Sequence, residues 1–238
     1  MKKLFLLIVV IFSGMICFSQ DQVVVDPNAE VRTLNENFKA IMISDGIDLY
    51  LTQSGTEAVA VSALEEKYRS AIKVIVENNV LKIFYEGDKG WNSRNKQLRA
   101  YVSFNTLNRL DASGASDIVV AGSITTDDLK MRFSGASDFN GNVAVKSLSL
   151  DLSGASDIKI GGNASFVTIS CSGASDVNGY KLISDICDAK ASGASDIYIT
   201  VNKEMTAHAS GASAISFQGN AIIIEVNKSG ASSVVKKG

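Results

Sequence analysis

One string recurs seven times along this chain. Ser-Gly-Ala-Ser begins at Ser113, Ser134, Ser153, Ser172, Ser192, Ser210 and Ser229. The first five copies are completed by an aspartate, Asp117, Asp138, Asp157, Asp176 and Asp196, the sixth by Ala214 and the seventh by Ser233. Subtracting successive starts gives steps of 21, 19, 19, 20, 18 and 19 residues. A short string at a near-constant period of this length marks a stack of repeated units, each one turn of a solenoid.

Aligning the copies on the first serine shows what a turn is made of. Five residues before it stand Leu129, Leu148, Val167, Cys187, Met205 and Ile224. Three before stand Leu110, Met131, Leu150, Ile169, Ala189, Ala207 and Val226, and one before stand Ala112, Phe133, Leu152, Cys171, Ala191, Ala209 and Lys228. The positions between are polar, as in Lys130 and Arg132 or Thr168 and Ser170. This is period-two alternation with one face kept apolar from copy to copy, the pattern of a strand. After the pentapeptide the column Ile118, Phe139, Ile158, Val177, Ile197, Ile215, Val234 is again apolar, and a third, less regular strand includes Val143, Val145, Phe166, Leu182, Val201 and Ile222. Two or three strands per turn, with like residues stacking on like, predict an all-β parallel β-helix of about 19–20 residues per turn.

Upstream of the array, Ser44-Asp45-Gly46-Ile47-Asp48-Leu49-Tyr50-Leu51 can be laid over Ser192 to Ile199. It reads as a degenerate turn of the same stack. Strands are expected at Ala58–Ser62, Ile72–Val76 and Leu81–Tyr85, with a turn at Asn78-Asn79 and a helical turn or two within Leu64–Ser70. One domain therefore spans residues 38–238, irregular over 38–104 and regular over 105–238. Residues 20–37, which hold the only proline, Pro27, read as a flexible leader.

Residues 1–19 have the form of a secretory signal: Lys2-Lys3, the apolar run Leu4–Phe12, then small residues ahead of Gln20. That run is too short to span a bilayer, which takes about 20 residues. An exported chain follows, placed in the periplasm, on the outer-membrane surface or outside the cell. Export permits disulfides, yet Cys171 and Cys187 fall four residues apart along the strand and one turn apart. That is about 13 Å, beyond the reach of a bridge. Both are expected to be buried free thiols.

The net charge of −2 carries no basic patch and gives no reason to expect nucleic acid. The chain shows no nucleophile motif, metal-ligand spacing or phosphate loop. His208, the sole histidine, stands at an outward strand position. The pentapeptide admits two readings. In one, glycine gives the corner its backbone geometry, the serines hydrogen-bond up the stack and the aspartate caps a backbone N–H. In the other, Asp117, Asp138, Asp157, Asp176 and Asp196 form a carboxylate ladder bridged by a cation such as Ca2+. A loop from Glu86 to Lys96 offers one further patch, Asp88, Trp91 and Arg94, where an indole could stack on a sugar.

With the ladder laid out, the chain resembles the family of exported bacterial proteins described as putative autotransporter adhesin, head GIN domain. Phe38-Lys39-Ala40-Ile41, Asp45 to Gln53, Val76 to Ile83, Leu107 to Asp111 and the Ser-Gly-Ala-Ser repeats carry the resemblance. It implies a right-handed parallel β-helix and an adhesive role without a defined ligand, catalytic residue or cofactor. No outer-membrane barrel is expected after Val235. The resulting expectation is a non-enzymatic binding module of the cell envelope, its partner a surface glycan or an envelope protein, with self-association possible through the stack ends. A carbohydrate-processing β-helix enzyme and a purely structural envelope protein are the alternatives.

Overall fold

The alternation read from the sequence is realised as strands that run unbroken from one pentapeptide to the next. A computed structural model describes residues 26–87 and 96–237. In the regular array, β9 (Asp117–Phe133), β10 (Asp138–Leu152), β11 (Asp157–Cys171), β12 (Asp176–Ala191) and β13 (Asp196–Ala209) each fill nearly a whole turn. They break only where the next pentapeptide begins. Neighbours pair in parallel and in register, Phe139 on Ile158 and Val177 on Ile197, so the apolar columns meet as aligned. The array closes with β14 (Ala214–Gln218), β15 (Ile222–Lys228) and β16 (Ser233–Lys236), which stack on β13, β13 and β14.

The amino-terminal part contributes β1 (Glu30–Arg32), β2 (Ala40–Ile43), β3 (Asp48–Gln53), β4 (Ala58–Ser62), helix α1 (Glu66–Ser70), β5 (Ile72–Glu77), β6 (Val80–Tyr85), β7 (Arg99–Phe104) and β8 (Arg109–Ala112). The β2–β3 turn is the degenerate coil: Ile41 lies beside Leu110 and Leu49 beside Ile118. Beneath it sits a coil made later in the chain, β6 under β2 and β7 under β3. Below that coil the parallel rule ends. β5 and β4 pair antiparallel to β6 and β7, and β1 antiparallel to β4. This end is thereby closed by strands whose direction does not continue the stack.

Two expectations are corrected. The leader is held in place from residue 26 onward. β1 is a paired strand, Arg69 bonds Glu30 at 2.9 Å, and the Tyr101 hydroxyl donates to Asp26 at 2.8 Å. The third strand is not uniformly inward. Val143, Leu182 and Val201 are buried, but Phe166 is 55% and Ile222 70% exposed. Register shifts between Gly179 and Ile183, and between Ser184 and Ile186, break the period on that face.

The core is one continuous column of buried side chains running from Phe38 to Ala221. Cys171 and Cys187 lie inside it as free thiols, beside Ala191 and Val167 respectively. Burial pushes the Cys171 thiol up to about 12, with Asp176 and Asp151 adding to the effect, and pushes Cys187 up as well. Neither is poised as a nucleophile.

Candidate functional site

Each part of the pentapeptide is spent on the stack itself, below, within or above its own turn. The first serine donates down the stack, Ser172 to the Leu152 carbonyl at 3.2 Å and Ser192 to that of Cys171 at 3.3 Å. The glycine takes a left-handed backbone, with φ of 84° at Gly154. A Cβ there would run into the Gly135 carbonyl oxygen, so the column must be glycine on glycine for strain and for space alike. The alanine N–H then reaches the glycine below, Ala155 to the Gly135 carbonyl at 2.7 Å. The second serine is fully buried, and its hydroxyl donates to the first serine's carbonyl, 3.1 Å in Ser175 and 2.9 Å in Ser213.

The aspartates cap backbone N–H groups one turn up. Asp138 Oδ1 accepts from the Asp157 amide at 3.2 Å, Asp176 Oδ1 from Asp196 at 3.1 Å, and Asp196 Oδ1 from Ala214 at 3.1 Å. The column ends at Asp196 with a cap delivered to a residue that has no carboxylate to pass on. Asp48 belongs to it too, beneath Asp117, which extends the ladder into the degenerate coil. Burial and then the charge of Asp117 hold the Asp48 carboxyl above its ordinary value; burial, then Asp138 and Asp176, do the same to Asp157. Among the described residues no three of His, Cys, Asp and Glu converge on a point where a metal ion could sit.

Outward of that column lies a depression that the sequence did not suggest. It has a volume of about 360 Å3 and is lined by Asn140, Asn142, Lys159, Asn178 and Lys181, over a floor that includes Gly141 and Gly161. A second hollow adjoins it, bounded by Asp117, Asp138, Asp157 and Lys159. The glycines keep the floor open, since a Cβ on Gly141 would stand 2.7 Å from Val120 Cβ and one on Gly161 2.6 Å from Asn142 Oδ1. The three amides and two ammoniums are exposed, and none hydrogen-bonds to another described residue. Tyr180 and Tyr198, ring centroids 5.4 Å apart, stand at its upper end beside Asn178. The signal for this groove was in the columns: asparagines at two of the positions two residues beyond the ladder, with glycine next to each.

The other flank of the corner is more self-contained. Lys190 pairs with Asp188 at 3.6 Å, Arg109 with Asp111 at 3.2 Å, and His208 Nδ1 lies 3.2 Å from the Asn227 amide, which also donates to Glu225. Asp88, Trp91 and Arg94 lie outside the described residues, as does the signal-like segment 1–19. No helix among the described residues is long and apolar enough to cross a membrane.

A family model described as putative auto-transporter adhesin, head GIN domain, matches residues 37–221. Nothing among curated proteins matches the sequence. Three similar solved structures share the fold. A putative adhesin from Bacteroides fragilis has 20% identity and a TM-score of 0.81, covering 88% of this chain and 96% of that one. A putative lipid binding protein from Parabacteroides distasonis has 16% identity and a TM-score of 0.65, covering 88% and 98%. A putative adhesin from Parabacteroides merdae has 17% identity and a TM-score of 0.61, covering 90% and 98%.

Proposed function

The chain belongs to the putative auto-transporter adhesin, head GIN domain, family, and from that premise we propose that it is an exported, non-enzymatic binding module of the cell envelope whose ligand is a glycan held along the flank of the rod. One observation carries this reading. In the groove beside the aspartate column, Asn140, Asn142 and Asn178 offer amides, Lys159 and Lys181 offer ammoniums, and none of the five is hydrogen-bonded to another described residue. A polyhydroxylated chain needs such a row of paired donors and acceptors, and the ladder supplies one at strand spacing, about 4.8 Å per turn. The outer carboxylate oxygens of Asp138 and Asp157 complete the acceptor set, and the tyrosine pair at the upper end gives a sugar ring an apolar surface.

A second reading, glycoside cleavage, is favoured by the two neighbouring carboxylates of Asp138 and Asp157, the latter held above its ordinary value. Cleavage needs two carboxyls facing each other across the scissile bond. These two point the same way up one face, and Asp138 is already bonded to the Asp157 amide.

A glycan array probed with residues 20–238 tests both. Binding is expected, and the combined Asn140→Ala, Lys159→Ala, Asn178→Ala variant should lose it by tenfold or more, about one charge-assisted and two neutral hydrogen bonds. Silence of the array, or equal binding by a folded triple variant, sinks the glycan reading. Shortened glycans in the eluate would move the assignment to the enzyme.

A further inference from the structure

The last described turn is covered from below only, and its core positions change character. Register places Lys228 over Ala209 and Lys236 over Phe217. Beneath Lys228 the column reads Ala112, Phe133, Leu152, Cys171, Ala191 and Ala209, all buried. Beneath Lys236 it reads Val120, Gly141, Ile160, Gly179, Ile199 and Phe217, again without a charge. Lys236 Nζ lies 3.5 Å from the Ala221 carbonyl, which ties its ammonium to the rim of the core. Lys237 turns aside, its Nζ 5.9 Å from the Tyr180 and Tyr198 ring centres. Around these two lysines, themselves exposed, remain Ile222, Ile223 and Ile224, which are 70%, 48% and 60% exposed, and the upper edges of β15 and β16.

We propose that this end is a self-association surface, fitted to the same end of a second copy and held shut by Lys228 and Lys236. The inference goes beyond ligand binding on the flank and does not depend on it. Strand edges arranged around an apolar centre are matched in outline by another end of equal girth. The opposite end of the molecule cannot serve, because β1, β4 and β5 run antiparallel there and end the columns. A turn of this length encloses, with its side chains, roughly 600 Å2, which for two copies reaches the lower range of specific interfaces. Against that stand four ammoniums brought into one water-poor layer. The carboxylate of β15, Glu225, faces outward to Asn227. Inward-pointing charge on an exposed edge is a known guard against such pairing, and here one core column on each side of the pentapeptide, at Lys228 and at Lys236, carries it.

The test restores the residues of the turns below, Lys228→Ala and Lys236→Ile, and follows association by sedimentation with small-angle scattering. The wild-type protein is expected to stay single. The doubly substituted protein should dimerise at least about a hundredfold more tightly, with its longest dimension near twice that of one copy and no fibres, since the other end is closed. Adding Ile223→Lys to that variant should return it to single copies. A folded double variant that remains single over the same range overturns the proposal, as does a wild-type protein already paired through this end. Should the double variant not fold, each single substitution must shift association in the same direction, and a shift in neither overturns it as well.

Discussion

Asp157 shows how a repeated residue can be useful in geometry and costly in charge. Its carboxylate accepts the Asp176 backbone amide, while burial and the flanking Asp138 and Asp176 hold its pKa above the ordinary 3.8. A carboxyl raised in the folded state takes its proton there before it does so in the unfolded chain. The cost of the ionised form is therefore complete at neutral pH. It is relieved as the pH falls through the folded pKa toward 3.8. Asp157→Asn keeps an oxygen for the Asp176 amide and removes the charge. Urea unfolding at about pH 7 should show a gain of up to about 0.5 kcal/mol, modest because the site is mostly exposed, and the gain should vanish near pH 4. A loss at neutral pH would mean that the charge itself is holding the turn together. The residue scale was the most legible part of the sequence. The left-handed glycine and the capping aspartate perform what their chemistry suggested, whereas the serines, expected to bond up the stack, donate to the turn below (Ser172 to Leu152) or within their own turn (Ser175 to Ser172). Asp48 was aligned with the column in sequence, yet its membership of the carboxylate ladder became visible only in the stacked register.

At the scale of elements, legibility followed regularity. Strands whose side chains alternate strictly, such as Leu148 to Leu152, could be placed to the residue because one face must be apolar at every second position. The third face could not. The count changes near Gly179 and Ile183, where β12 and β13 shift register, and Phe166 stands in the outward column with Ser147, next to inward Val167, whereas the partner of buried Val143 is Gly162. Composition offers no sign of such a shift. β1 was missed because three residues with one apolar side chain have no period, and only β4 beside them makes a strand. The β5–β6 hairpin was legible from Asn78-Asn79, both with positive φ, 52° and 62°. A two-residue turn of this type wants glycine or asparagine at both places. Asn79→Ala should cost about 1 kcal/mol and Asn79→Gly nothing or less, read as the shift in denaturation midpoint. Equal effects would place the hairpin's stability in the Val74–Ile83 contact rather than in its turn.

For the whole molecule, the decisive property is that its two ends differ. A solenoid is stabilised turn by turn, each turn contributing its own packing and the interface with its neighbours. Val143, Leu150, Ile169 and Val177 in the middle are sealed from both sides, at 1% exposure or less. At the lower end the same role falls to β4, β5, β1 and α1, so Leu81, Ile83, Ala100 and Val102 remain sealed as well. At the upper end Val226 and Val234 pack on the core only in part, and the three isoleucines of β15 face water. Opening should therefore begin at residues 222–237 and travel downward, without a matching front from the β6–β7 coil. Local opening free energies set amide exchange rates. Hydrogen exchange should accordingly find the amides of β15 and β16 least protected, those of β13 intermediate and those of β10 to β12 most protected, with β7 close to the middle group. Equal protection of β15 and β11 in dilute protein would mean that something covers the upper end in solution, against the guarding role of Lys228 and Lys236. Equal fraying of β7 would mean that the antiparallel strands do not work as a cap, and the one-sidedness on which a closed pair rather than a filament depends would be lost.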